Sequence, residues 1–226
     1  VLCCLAGFTS MAFAERLEVF RWQANSSSPE ALVQGMMAAA KIHEKSGAAV
    51  GIYRLDVGSA GYPTFDYVLR WDSGEDWAKT KESNFNEEWQ TFWAQASQSP
   101  SGTMLMSLEG LNWNDSAKAA DFANDGPYRV SVWQPNAGKS AAVYAAFTEA
   151  AKMHAAMGAK VNIYQEGVGG TGKVHYVLTF DDWAGMADFG DKVNASQELR
   201  FLRAAFADAA TPIGSVQGEP LYYTGR

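Results

Sequence analysis

Two of the three histidines in this chain, His43 and His154, stand in matching surroundings. Lys41-Ile42-His43 followed by Gly47-Ala48 returns as Lys152-Met153-His154 followed by Gly158-Ala159, at an offset of 111 (154 minus 43). An imidazole can serve as a general base, an axial haem ligand or a metal ligand, and burial moves its pKa into or out of the working range. The helical spacing puts Leu32, Met36, Ala39 and His43 on one face, and Val143, Phe147, Ala150 and His154 on another, so both histidines lie on an apolar stripe. The plain alternative is a core histidine bonded to a backbone carbonyl or to a strand side chain. One metal site made by both is not expected, because twofold-related helices would lie on opposite outsides of the molecule and nothing nearby supplies further ligands. No metal is predicted.

The same offset carries Trp22-Gln23 and Asn25 onto Trp133-Gln134 and Asn136, and Tyr53 onto Tyr164. An indole and two amides at the end of a strand could orient a small organic ligand. Otherwise they are a tryptophan plug with Asn25 and Asn136 as turn residues. The candidate ligand-binding set is therefore Trp22, Asn25, His43, Tyr53, Trp133, Asn136, His154 and Tyr164, and no catalytic residue is assigned. His175 occurs only in the second half, where Asp66 is its counterpart, and a surface or helix-facing position is expected. Gly167-Val168-Gly169-Gly170-Thr171-Gly172-Lys173 has the spacing of a dinucleotide loop and nearly that of a phosphate loop. It runs into the strand-like Val174-His175-Tyr176-Val177-Leu178 instead of opening a helix, so a turn is expected. Asp72, Glu75, Asp76, Asp181 and Asp182, with Ser28, Ser73 and Ser140, lie where helix starts need caps and negative charge.

These residues are positioned by elements that recur in order. Arg16 to Gln23 alternates as a strand, and Ser26-Ser27-Ser28-Pro29-Glu30 opens a helix with proline at its first position and Glu30 three after Ser27. That helix stops at Gly47. Strands follow over 49–57 and 64–71, then a helix rich in Trp77, Phe85, Trp89 and Phe92 that is broken near Asn84, and a strand over 103–111. The second half repeats the order: strand 128–134, helix from about Ser140 to Met157, strands 160–166 and 173–180, a helical stretch from Asp182, and strand 213–222. Each half reads β-α-β-β-α-β, an antiparallel sheet with its helices on one face. The uncovered faces, with Phe20, Trp22, Tyr53, Tyr67, Leu69 and Trp71 as candidates, are too apolar for water and are expected to bury against each other.

With this order and pattern the chain resembles the dimeric α/β-barrel superfamily, in which two ferredoxin-like units pair through their sheets. The broken aromatic helix, Trp77…Glu88-Trp89…Phe92, looks most like the NIPSNAP-type branch. The resemblance spans about Arg16 to Tyr223. It implies an α+β tandem of two ferredoxin-like units closed as an intramolecular barrel, and a pocket between sheet and helices. Members of the superfamily include monooxygenases, haem-degrading enzymes and haem-containing dismutases.

Composition narrows the function further. A net charge of -7, with no basic run, argues against nucleic acid and anionic membranes as partners. Eight Trp, twelve Phe and nine Tyr suit broad half-buried surfaces such as ligand pockets and subunit contacts, so a homo-oligomer is compatible. Val1 to Phe8 is apolar and leads to Ala12-Phe13-Ala14, the pattern of a secretory signal peptide too short to span a bilayer. Its removal would take Cys3 and Cys4 with it, leaving no thiol for a disulfide, metal site or nucleophile. The expected organisation is a signal peptide at 1–14, unit 1 at 15–111, a linker at 112–126 and unit 2 at 127–226. The expected function is that of an exported, secreted or bacterial periplasmic protein binding a small apolar or aromatic ligand. No cofactor is predicted. The alternatives are a haem-handling or cofactor-poor oxygenase-type enzyme, with haem as its cofactor, and a structural assembly subunit.

Overall fold

A computed structural model describes residues 15–25, 28–59, 61 and 63–225. The predicted signal peptide and Ser27 of the predicted capping box lie outside the described residues. The first half comprises β1 (Arg16–Ala24), α1 (Pro29–Lys45), β2 (Ala49–Val57), β3 (Thr64–Trp71), α2 (Gly74–Ser83), α3 (Glu87–Ala96) and β4 (Gly102–Asn112). A short 3-10 turn (Ala119–Phe122) leads to β5 (Tyr128–Pro135), α4 (Ser140–Ala156), β6 (Lys160–Glu166), β7 (Val174–Thr179), α5 (Trp183–Ala195), α6 (Gln197–Ala205) and β8 (Ala210–Tyr223). No helix among the described residues is long and apolar enough to cross a membrane.

The helix starts follow local chemistry, with two departures from expectation. Ser73 accepts from Asp76 N at 3.1 Å, Asn86 from Trp89 N at 2.9 Å, and Asp182 from Gly185 N at 2.7 Å, each satisfying an amide the first turn leaves open. Ser28 precedes Pro29 but makes no capping bond, and Ser140 is itself the first helical residue, after Lys139. The expected break near Asn84 separates α2 from α3.

The eight strands close into one antiparallel barrel in the order β1-β3-β2-β8-β5-β7-β6-β4. Each half contributes four neighbouring strands, joined across β2–β8 and β4–β6. The glycine-rich loop helps to make the second joint. Gly167 N donates to Glu109 O and Glu109 N to Val168 O, both at 2.8 Å, extending the pairing beyond β6. Gly169, at φ 83°, comes so near β4 that a Cβ there would lie 2.6 Å from Ser107 O. The loop's amides face an internal anion: Glu166 Oε2 accepts from Thr171 N at 2.6 Å and Lys173 N at 3.1 Å.

Which strand face turns inward differs from expectation. Phe20, Trp22, Tyr67, Leu69 and Trp71 pack with α1 on the outside of the barrel, and of the six candidates only Tyr53 belongs to the interior. The interior carries Leu17, Val19, Val68, Tyr128, Val130, Tyr164 and Val177, with charged groups among them. Arg21 holds Asp66 through two bonds of 2.7 and 2.8 Å, and Arg70 donates to Glu15 and to the Tyr164 hydroxyl, each at 2.7 Å. Alternation fixed the two faces of each strand. The more aromatic face belongs to the helices, because the inward face can hold charge once each ion is paired. His175 is also inward and bonds Glu166 Oε1 at 2.8 Å, which corrects its expected surface or helix-facing place.

The stretch 112–126, polar enough to read as a linker, is packed against the barrel. Phe122 is buried with the Arg70 guanidinium 3.8 Å from its ring centre, Tyr223 Oη donates to Ala119 O, and Asp72 accepts from Ala119 N at 2.7 Å.

Candidate functional site

The helix-facing layer of the first half is built by α1, by the outer faces of β1 and β3, and by α3. On α1 the stripe Leu32, Met36, Ala39 and His43 is buried as its spacing required. Trp22 and Phe20 project from β1 and Tyr67 from β3, while α3 places Trp89, Phe92 and Trp93 opposite. These side chains do not fill the layer. They enclose a cavity of about 630 Å³ whose wall also includes Gly35, Asn84, Ser97, Ser101 and Met104.

His43 is one polar feature of that wall, beside Asn84 Oδ1 and Trp89 Nε1, which are buried without a hydrogen-bond partner among the described residues. The His43 Nδ1 lies 2.7 Å from the Tyr67 hydroxyl, and the ring sits 4.6 Å from Trp89 and 5.7 Å from Tyr67. Burial, aided by the charge of Lys81, lowers its pKa to about 4, so the ring is neutral at ordinary pH. Burial likewise pushes the Tyr67 hydroxyl far up, and it stays protonated. Among the described residues the wall contains no Lys, Arg, Asp or Glu. The site can therefore hold a flat neutral molecule against indole and phenyl faces, with the imidazole, Asn84 Oδ1 and Trp89 Nε1 as polar groups to orient it.

The second half builds the same dyad and closes it in. His154 Nδ1 lies 2.8 Å from the Tyr176 hydroxyl, and burial, with the charge of Arg203, lowers its pKa to about 4. Its Nε2 is enclosed without a hydrogen-bond partner. Phe147, the counterpart of Met36 at the same offset of 111 (147 minus 36), stands between Trp133 at 5.7 Å and Tyr176 at 5.3 Å. Phe189 from α5 closes over His154 at 5.3 Å.

Of the sequence-derived set, Trp22 and His43 share the cavity, whereas Trp133 and His154 belong to the packed layer of the other half. Asn25 and Asn136 tie loops: their side-chain amides donate to Pro100 O and Asp208 O, each at 2.7 Å. Tyr53 and Tyr164 point into the barrel, Tyr53 edge-on to Tyr128 at 5.3 Å. Tyr67, Met36, Trp89, Phe92 and Trp93 were not in the set. The aromatic spacing of 89, 92 and 93 along one helix was the available signal for three of them. No group of three or more His, Cys, Asp or Glu among the described residues could hold a metal ion.

No family model and no curated protein matches this sequence. Solved structures do match it over nearly their whole length. A protein described as a monooxygenase from Fusobacterium nucleatum subsp. nucleatum superposes with TM-score 0.66 at 10% identity, covering 94% of this chain and 95% of that one. The fold is the dimeric α/β barrel. A chain described as a chlorite dismutase gives TM-score 0.59 at 12% identity over 92% and 95% of the two chains. A haem-binding protein from Thermus thermophilus gives 0.53 at 9% identity over 93% and 92%. At these identities the likeness is one of fold.

Proposed function

We propose that this protein binds a small, neutral, largely aromatic molecule between the sheet and helices of its first half. The observation that carries the reading is the aromatic-walled cavity of about 630 Å³ beside a neutral His43, a size within the range of about 300–1,000 Å³ common for small-molecule sites. A purely structural role would call for a filled layer in both halves, and only the second has the filling ring. Titration with the neutral fluorophore N-phenyl-1-naphthylamine should saturate at one molecule per chain. Met36→Phe, which copies the second half, should weaken that binding by at least about a hundredfold at unchanged stability, the scale expected when an added ring takes the ligand's volume. Unsaturable binding, or binding that survives Met36→Phe, would refute the reading.

Haem is the second reading, favoured by one observation: a neutral imidazole lines a cavity whose fold is shared with a haem-binding protein. The wall supplies a nitrogen donor and flat aromatic faces, but no Lys or Arg for the two propionates, so it suits a neutral ligand better. The purified protein should show no Soret band, and haemin should produce none that His43→Ala removes. Such a band would reverse the ranking.

Three further points belong to this reading. The constant offset and the shared element order support an origin by tandem duplication, with units at 15–111 and 127–226 around the 112–126 segment. The NIPSNAP-like character rests on the broken aromatic helix. Export rests on the apolar first residues, and fractionation of expressing cells tests it.

A further inference from the structure

We infer that His43 presents an N–H donor to the cavity, so that the ligand class is an aromatic molecule bearing a hydrogen-bond acceptor such as a ketone or quinone oxygen. This deepens the proposed binding function and rests on it. Tyr67 is 5% exposed, and His43 Nδ1 at 2.7 Å is the one partner its hydroxyl has among the described residues. The phenol is protonated, and with Nδ1 at 2.7 Å as the partner in place its O–H donates there at no cost in unpaired groups. Nδ1 therefore accepts. A neutral imidazole that accepts at Nδ1 carries its hydrogen on Nε2. His43 lines the cavity, and its Nε2, unlike that of His154, is not among the enclosed unpartnered atoms.

Two consequences follow for the chemistry of the site. The Nε2–H donor selects a carbonyl-type oxygen over a hydrocarbon. It also leaves no lone pair for iron unless the proton moves to Nδ1, which would orphan the Tyr67 hydroxyl. Tyr67 is thus a positioning residue that sets the tautomer, and His43 is the group that touches the ligand. The duplicate dyad in the second half has the same arrangement, but its Nε2 is enclosed, so the donor faces a cavity in the first half.

The test combines a spectrum with a matched ligand pair. A long-range ¹H–¹⁵N correlation spectrum of the full chain at pH 7 should show His43 Nδ1 unprotonated and Nε2 protonated; the reverse assignment overturns the inference without any ligand. By tryptophan fluorescence, the affinity ratio of 1-acetonaphthone to 1-ethylnaphthalene, which differ by a carbonyl in place of a methylene, should fall about tenfold in His43→Phe. Tyr67→Phe keeps the His43 ring but frees its proton, so it should lower the same ratio by a smaller factor and give a mixed-tautomer spectrum. An unchanged ratio in both variants overturns the donor role while leaving the cavity reading intact. Failure of both compounds to bind overturns the cavity reading itself, and the spectrum still decides the tautomer.

Discussion

The two halves hold the same histidine–tyrosine dyad at 2.7 and 2.8 Å, yet one faces a cavity and the other is sealed. The difference comes from two local changes. Phe147 replaces Met36, adding a ring where the first half has a flexible thioether chain. The helical cover also breaks at different points. In the first half the break comes between Ser83 and Glu87, so the ring over His43 is Trp89 on the later segment; in the second, α5 runs on to Ala195 and delivers Phe189 directly. A shared polar pair is thus part of the fold, and its surroundings decide whether it can meet a ligand. The barrel interior is unequal in kind: both of its arginines, Arg21 and Arg70, come from the first half, whereas the second contributes the Glu166–His175 pair.

That inequality gives the largest expected effect. Arg70→Met leaves the fully enclosed Glu15 carboxylate without its cation and should cost about 3–5 kcal/mol in urea unfolding, the usual scale for half of a buried pair. A cost near zero would mean the pair is solvated in solution. Next come the two layers. Phe147→Ala should cost about 3 kcal/mol and Met36→Ala only about 1 kcal/mol, because Met36 already borders empty space. Equal losses would erase the proposed difference between filled and open halves.

Acid should affect both halves alike. His43 and His154 each have a pKa lowered to about 4, against an ordinary value near 6.5. Well above pH 6.5 neither the folded nor the unfolded rings bind a proton, and no stability is at stake. Between pH 6.5 and 4 the unfolded rings take up protons that the folded rings refuse, so stability falls as pH falls. The full loss, about 3 kcal/mol per histidine, is reached below pH 4. The slope should flatten in either His43→Phe or His154→Phe, and by a similar amount in each, measured by urea midpoints across that window. The smallest effect is expected at Lys45–Glu88, an exposed pair beside α3: Lys45→Ala should change stability by no more than about 1 kcal/mol.

The architecture was legible because hydrophobic period, helix starts and the internal repeat all agree at the level of single residues. Two residues of the candidate cavity were legible too, since the repeat drew attention to His43 and Trp22. It drew equal attention to His154 and Trp133, because a repeat displays what the halves share, whereas the cavity arises where they differ, at position 36 against 147. The inward face was misjudged for another reason. Arg21 and Asp66 are 45 residues apart, and Arg70 and Glu15 are 55 apart, so nothing local marks them as ion pairs that can be buried. Choosing the more apolar face was reasonable for an isolated sheet, and the closed barrel reverses it.

The central claim is that only the first half has a ligand site. A crystal structure of the protein grown with 1-acetonaphthone tests it most directly. One molecule is expected between the outer face of β1 and β3 and helices α1 and α3, stacked near Trp22 and Trp89, with its carbonyl oxygen within hydrogen-bond distance of His43 Nε2. A molecule seated instead beside His154 or inside the barrel, or a cavity that stays empty at saturating ligand, would contradict it.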